Sequence, residues 1–405
     1  MLEENVAFKA ETDAPITCSE VKKVIYNLKL GKSAGPDRIL NEVIKHSHKV
    51  LIKSYVKIYN LILNTGCYPE SWKESFIVSL YKSGDKSDPN NYRGISLSNS
   101  LPKIVNAVLN NRLIKVIDKQ LSNSQFGFRE NHRTADSIFV LKSLINKYVH
   151  KGKGKIYTCF VDLKKAFDSV WRTALLYKLC KMGVGGSFYR VIKQQYINTK
   201  STLKYKEYIS DYFNISRGVK QGDSLSPTLF SIFINDITRN FNDKQSMPLQ
   251  LINSKIGSLL FADDLLILSE TKDGLQNSLN NLSLYCDNWQ LSLNINKTKT
   301  MIFTQSKHKV EPTFVNYKNK AIENTTEYSF LGILIKNNGN FSHSTLNLTR
   351  KAKKVFFAIR SYTNSLNNLP FKVANNLFDS LVTPIMTYNA EITYLTMFRF
   401  IYLSF

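Results

Sequence analysis

Two apolar runs parted by a pair of carboxylates constrain this chain more than any other feature: Ser258 to Ala262 and Leu265 to Leu268, joined at Asp263-Asp264. Short apolar runs this close together read as the strands of a tight hairpin, which puts the acidic pair at its tip. Adjacent charges at an apolar tip are costly unless a cation lies near them. Aspartate is common in turns, so taken alone the pair reads as a solvated turn. A third carboxylate changes the odds. Ile156 to Val161 is a buried-type strand that ends on Asp162. If that strand pairs with the hairpin, three carboxylates converge on one sheet edge. Such an oxygen set suits hard divalent cations. Two ions roughly 3.5–4 Å apart can activate a hydroxyl and stabilise a leaving pyrophosphate.

Charge points the same way. The 405 residues carry 55 Lys+Arg against 31 Asp+Glu, a net +24. So basic a chain repels itself when compact, and a polyanion that neutralises it is the expected partner. Nucleic acid is the first candidate and an acidic membrane surface the second; solvated lysines on an ordinary basic protein are the plain alternative. With 43% hydrophobic and 12% aromatic residues there is enough to bury a core, which excludes wholesale disorder. The five cysteines form no C-x-x-C pair and the six histidines are scattered, so no zinc site is indicated. Reduced thiols and the lack of a basic head with an apolar run predict an intracellular protein, in cytoplasm or nucleus. The apolar end, Ile392 to Phe405, is too short to span a bilayer and is interrupted by Arg399, so no stable membrane association is expected. Its last stretch, Phe398 to Phe405, matches no familiar pattern.

The surrounding pattern mixes helices and strands. Thr17-Cys18-Ser19-Glu20 is a capping box, with Val21, Val24, Ile25 and Leu28 at helical spacing. Gly31-Lys32-Ser33 is not a phosphate loop, because Tyr26 stands where that motif needs glycine. Helices are predicted over 50–64, 101–118 and 134–150, and a strand from Phe76 to Tyr81. The basic run Lys151 to Lys155, with two glycines, reads as a hinge or domain edge. Ser226-Pro227 opens a helix, with Ser226 as N-cap. Leu275, Leu279, Leu282 and Trp289 line a helical face, and from about 341 the chain is helical and basic. The class is α+β.

At this point the residues resemble a known family. Phe160-Val161-Asp162-Leu163-Lys164-Lys165-Ala166-Phe167-Asp168 looks like motif A of reverse transcriptases. Arg217-Gly218-Val219-Lys220-Gln221-Gly222-Asp223-Ser224-Leu225-Ser226-Pro227 resembles motif B, and Phe261-Ala262-Asp263-Asp264 motif C. Upstream, Gly31 to Asp37, Asn91 to Leu97 and Gln125-Phe126-Gly127-Phe128-Arg129 are similar to the N-terminal and fingers motifs of non-LTR (LINE-type) retrotransposon enzymes. Downstream, Asn294 to Thr300 is similar to motif D and Phe330-Leu331-Gly332 to motif E. Each string is modest evidence. Together they run in the family's order, from about 15 to about 335.

The resemblance implies a right-hand polymerase: an N-terminal extension and fingers over 1–150, a palm with an antiparallel sheet, together with part of the fingers, over 151–335, and a partial helical thumb over 336–405. It implies RNA-directed DNA synthesis on a primer 3′-hydroxyl, with an RNA template, a DNA primer and dNTPs as partners. Asp162, Asp263 and Asp264 would hold two magnesium ions, with manganese as a substitute. Phe167 would block a ribose 2′-hydroxyl; from periodicity alone it reads as a core aromatic. Gln221 and Gly222 would let the backbone approach nucleotide and template, Arg93 and Lys82 would meet the triphosphate, and Lys297 or Lys299 would protonate pyrophosphate. Arg350, Lys351, Lys353 and Lys354 would lie along the duplex backbone. Asp168 reads as a turn residue without a catalytic part.

A viral RNA-dependent RNA polymerase shares the palm, but Phe167 and Gln221-Gly222 take the reverse-transcriptase form. A group II intron maturase would carry a splicing domain after the thumb. The rival of a different class is a truncated, inactive retroelement fragment that only binds nucleic acid. No endonuclease or zinc knuckle is recognisable, so endonuclease function is expected to lie outside this chain.

Overall fold

A computed structural model describes residues 9–305, 315–365 and 370–392; the apolar run 398–405 lies outside the described residues. Two compact units are gathered from interleaved stretches: 1–122, 164–236 and 286–291 in the first, and 123–163, 237–285 and 292–405, so far as described, in the second.

In the first unit a short helix, Lys9–Thr12, precedes the helix Cys18–Tyr26, which is capped as the sequence predicts: the Thr17 hydroxyl accepts the Glu20 amide, and the Glu20 carboxylate accepts the Thr17 amide at 2.9 Å. The helix expected over 50–64 is longer, Asn41–Thr65. Its buried stripe runs from Ile44 through His48 to Leu63. The polar stretch around His46 to Lys49 hides this continuity in the sequence, because His48 is buried with its ring nitrogen 2.6 Å from the Lys45 carbonyl. Gly66 ends the helix at φ 71.

A five-stranded sheet follows. Glu74–Tyr81 pairs antiparallel with Tyr92–Ser98 and parallel with Lys200–Tyr205, which also pairs with the short strands Tyr208–Ile209 and Phe213–Asn214. The helix Ser226–Ile234 takes Leu225 rather than Ser226 as its N-cap. The reason is local: the buried Asp223 carboxylate accepts the Leu225 amide at 2.9 Å, which moves the helix start back one residue.

The second unit holds a four-stranded antiparallel sheet in the order Lys299–Phe303, Ile156–Asp162, Asp264–Ser269, Ser258–Phe261. Its central strand Ile156–Asp162 is buried over most of its length, so it is almost unbroken in apolar residues. Phe160, Leu266, Leu268, Met301 and Phe303 form a core with Ile138, Leu141 and Leu144 of the helix Thr134–Ile145. The basic run at 151–155 lies inside this unit. It closes the π-helical turn Asn146–Lys151, where the Gly152 and Gly154 amides bond back to the Lys147 and Tyr148 carbonyls. A small hairpin, Glu327–Phe330 with Ile333–Lys336, turns at Leu331 (φ 46) and Gly332 (φ 79). The architecture is α+β, and the sheet bearing Asp162 is antiparallel throughout. Among the described residues no helix is long and apolar enough to cross a membrane.

Candidate active site

Asp162 and Asp264 face one another across the sheet. They are direct partners in the antiparallel register, and Asp264 in turn pairs with Phe261. Direct partners project from the same face with Cβ atoms about 4.5–5.5 Å apart. The turn is therefore one residue earlier than the sequence suggests: Ala262 and Asp263 make it, and Asp264 is the first residue of its strand. Ala262 adopts φ 57, the left-handed conformation that turns the chain in two residues and leaves Asp263 at the tip.

Burial pushes the Asp264 carboxyl up to about 6, and the charges of Asp263 and Asp162 push in the same direction. Three mutually repelling hard oxygens are what a divalent cation relieves. Among the described residues no group of three His, Cys, Asp or Glu stands as a preformed metal site. The trio shares a sheet end but does not form a closed ligand cage.

The backbone around the trio is clamped. The Asp162 amide donates to the buried Thr298 hydroxyl at 3.2 Å, and the Asp162 carbonyl accepts the Asn294 amide at 2.8 Å. On the far side of the hairpin, the Ser124 carbonyl accepts the Leu260 amide, and the Leu260 carbonyl accepts the Phe126 amide, both at 2.8 Å. Gly127 then passes the tip so closely that a Cβ there would lie 2.2 Å from the Ala262 nitrogen. Tyr328 stacks on Phe160 with ring centroids 4.2 Å apart. Burial pushes its hydroxyl up to about 12, and the Asp264 and Asp162 charges add to this. Sequence reasoning assigned nothing to Thr298, Gly127 or Tyr328. All three sit in or beside the quoted motifs, but their partners are distant in the chain.

The first unit brings together Phe167, Gln221 and Gly222. The Gln221 amide nitrogen donates to Asp168 at 3.1 Å, and the Gln221 carbonyl accepts the Ser96 amide at 2.8 Å. Val219 and Gly218 donate to the Phe167 and Val170 carbonyls, each at 2.9 Å. Gly222 has φ 109, and a Cβ on it would meet the Ser96 carbonyl at 3.0 Å; the close approach is made by the chain's own backbone. Phe167 is half-buried and stacks on the buried Phe230 at 4.7 Å, so it is packed on one side without being a core residue. Asp168 lies on the short helix Ala166–Ser169. Crowding raises its carboxyl, while the Gln221 hydrogen bond and the charges of Lys165, Arg93 and Lys82 oppose the rise. Arg93 and Lys82 are exposed on one hairpin.

Beneath this loop, Asn106 donates to the buried Asp223 at 2.7 Å and accepts from Gln195 at 2.9 Å. Burial pulls the neighbouring Lys220 ammonium down to about 8, with Asp223 resisting.

The remaining candidates lie in the second unit. Lys299 is bound to Glu323 at 2.5 Å, whereas Lys297 is exposed. On the helix Ser342–Ser365, Arg350, Lys351 and Lys354 are exposed and Lys353 is half-buried, while Ala352 turns inward.

Residues 82–335, more than half of the chain, match the model of the family described as reverse transcriptase (RNA-dependent DNA polymerase). The chain belongs to the reverse transcriptase family. The chain is 27% identical over 392 residues to the RNA-directed DNA polymerase from mobile element jockey of Drosophila melanogaster, covering 93% of this chain and 41% of that protein. It is 30% identical over 316 residues to the Pol polyprotein of the type-2 retrotransposable element R2DM, also of Drosophila melanogaster, covering 75% of this chain and 29% of that one. An apo telomerase from Candida tropicalis superposes with a TM-score of 0.47 at 16% identity, over 75% of this chain and 61% of the other. The chain spans about two fifths of the length of the first curated relatives it matches.

Proposed function

We propose that this chain is the polymerase portion of a non-LTR retrotransposon reverse transcriptase, which extends a primer 3′-hydroxyl with dNTPs on an RNA template and releases pyrophosphate. The observation that carries the reading is the pairing of Asp162 with Asp264 beside a strained turn that presents Asp263, in a chain of this family. Asp162 and Asp263 would hold two magnesium ions, for which manganese could substitute, and Asp264 would complete the set. When bound, the ions supply charge neutralisation at the phosphates and acidify the primer hydroxyl.

The chain's own residues position the reactants. Arg93, with a guanidinium suited to two phosphate oxygens, and Lys82 receive the triphosphate. Phe167, braced by Phe230, stands against the sugar 2′ position. Gln221 and Gly222 carry the backbone that meets the base pair. Lys297 is the better placed of the two candidate proton donors, because Glu323 occupies Lys299. Arg350, Lys351, Lys353 and Lys354 track duplex phosphates from a thumb helix. In this reading fingers, palm and thumb fall at 1–150, 151–335 and 336–405.

The test is extension of oligo(dT) on poly(rA) with dTTP and magnesium, beside Asp263→Asn. Extension that the variant lowers by roughly 100-fold or more supports the reading. A wild type that binds the hybrid yet never extends it is a relic that binds nucleic acid without catalysis.

A further inference from the structure

At one end of the first unit's five-stranded sheet, aromatic side chains lie on the surface. The strand Lys200–Tyr205 returns through Lys206-Glu207 into Tyr208–Ile209, with Tyr205 directly opposite Tyr208. Lys206 takes φ 54, so the two-residue turn holds the tyrosines side by side. Tyr205 is 69% exposed and Tyr208 78%. The same strand runs parallel to Glu74–Tyr81, which puts the turns after both strands at the same end of the sheet. Tyr81 is exposed there too, with the Lys86 ammonium 5.8 Å from its ring centre. Lys206 lies 5.6 Å from the centre of Tyr205, whereas Lys204 points to the other face of the sheet, its ammonium 5.2 Å from the centre of the buried Phe76 ring. Exposed acids lie at these turns too: Glu207 and Asp211 beside the tyrosines, and Asp85 next to Lys86.

Exposed rings interleaved with lysines are the combination that binds unpaired nucleic acid, since every base has a face to stack and every linkage a phosphate to neutralise. A second copy of the chain is the poorer occupant, because each copy carries +24 and the two repel. We infer that this sheet end binds single-stranded RNA, with bases stacking on Tyr205 and Tyr208 and Lys206 and Lys86 meeting the flanking phosphates. The inference rests on the proposed RNA-templated function, but it concerns RNA outside the primer duplex and residues other than the carboxylates.

The experiment measures fluorescence anisotropy of labelled oligo(U) of about 15 nucleotides, the upper range of such site sizes, with the full chain over a salt series. Tyr205→Ala/Tyr208→Ala should weaken binding roughly ten- to hundredfold, while Tyr205→Phe/Tyr208→Phe should keep it, because stacking needs the ring and not the hydroxyl. Lys86→Ser/Lys206→Ser should flatten the log–log salt slope by about 1.4, two single-strand phosphate contacts. Wild-type affinity in the alanine pair, at an unchanged unfolding midpoint, overturns the proposal. So does a sedimentation-detected dimer that the alanine pair abolishes while RNA affinity stays constant. If the alanine pair does not fold, an unaltered salt slope in the lysine pair overturns it equally. Binding to oligo(U) needs no catalysis, so failure of primer extension in the wild type is a separate result.

Discussion

Gly127 passes so close to Ala262 that a methyl group on the first would stand 2.2 Å from the backbone nitrogen of the second. Ala262 is also the residue whose left-handed φ of 57 forms the turn bearing Asp263. The fit between the two is therefore a fit between a neighbouring segment and the geometry of the acidic tip. Gly127→Ala should push the tip away at an overpacking cost of about 1–3 kcal/mol. The expected kinetic result is a fall in kcat of at least about tenfold with little change in KM for dNTP, as a displaced reacting group predicts. Unchanged kcat in a folded variant would show that the tip does not depend on this contact.

Phe167 rests on Phe230 and is half-buried. Phe167→Ala should raise the ratio of ribonucleotide to deoxynucleotide incorporation by about one to two orders of magnitude, since the discrimination it offers is steric and worth about 1–3 kcal/mol. Competing rNTP and dNTP on one template gives the ratio directly. Equal selectivity in the variant would assign Phe167 to packing alone.

Asn106 binds the buried Asp223 carboxylate, and that carboxylate also holds the Leu225 amide at the start of the helix Ser226–Ile234. Asn106→Leu leaves a buried charge short of a donor and should cost about 1.5–3 kcal/mol in unfolding free energy. Urea denaturation measures it. A companion Asp223→Asn, which removes the charge, should recover part of the loss; additive losses in the double variant would mean the two side chains are not coupled.

Glu20 and Arg112 form a two-pronged pair at 2.8 and 2.9 Å, and Arg112 also donates to the Thr12 and Pro15 carbonyls. Burial works against the Glu20 charge, but the Arg112 hydrogen bond, the Thr17 amide and the Arg112 charge outweigh it and hold the carboxyl at about 2, down from 4.5. A carboxyl that titrates lower in the folded state than in the unfolded one contributes its stability fully above the unfolded value. That stability drains as pH falls from about 4.5 toward about 2. Glu20→Gln should lose stability at neutral pH and show a shallower decline over that window. Parallel stability–pH curves for the two proteins would contradict the linkage.

How much of this was legible in the sequence varies from residue to residue. Thr17 and Glu20 announced their helix because a capping box is a local device, complete within four residues. Asp162, Asp263 and Asp264 stood at strand ends that periodicity could mark, and the motif order around them named the family. The turn was misplaced by one residue, since alanine is a poor signal for a left-handed conformation that a neighbouring segment supports. Ser226 looked like a cap because the Asp223 bond that displaces it depends on burial.

Local pattern thus determined the strands, most of the helices and the identity of the acidic residues, because hydrophobic period and capping act over a few bonds. Only the tertiary structure decided that Asp162 lies opposite Asp264, that Gly127 touches Ala262, that Glu323 occupies Lys299, and that Tyr205 and Tyr208 stay on the surface. Those relations join residues far apart in the chain, and long-range register and packing are settled by the whole fold rather than by neighbours in sequence.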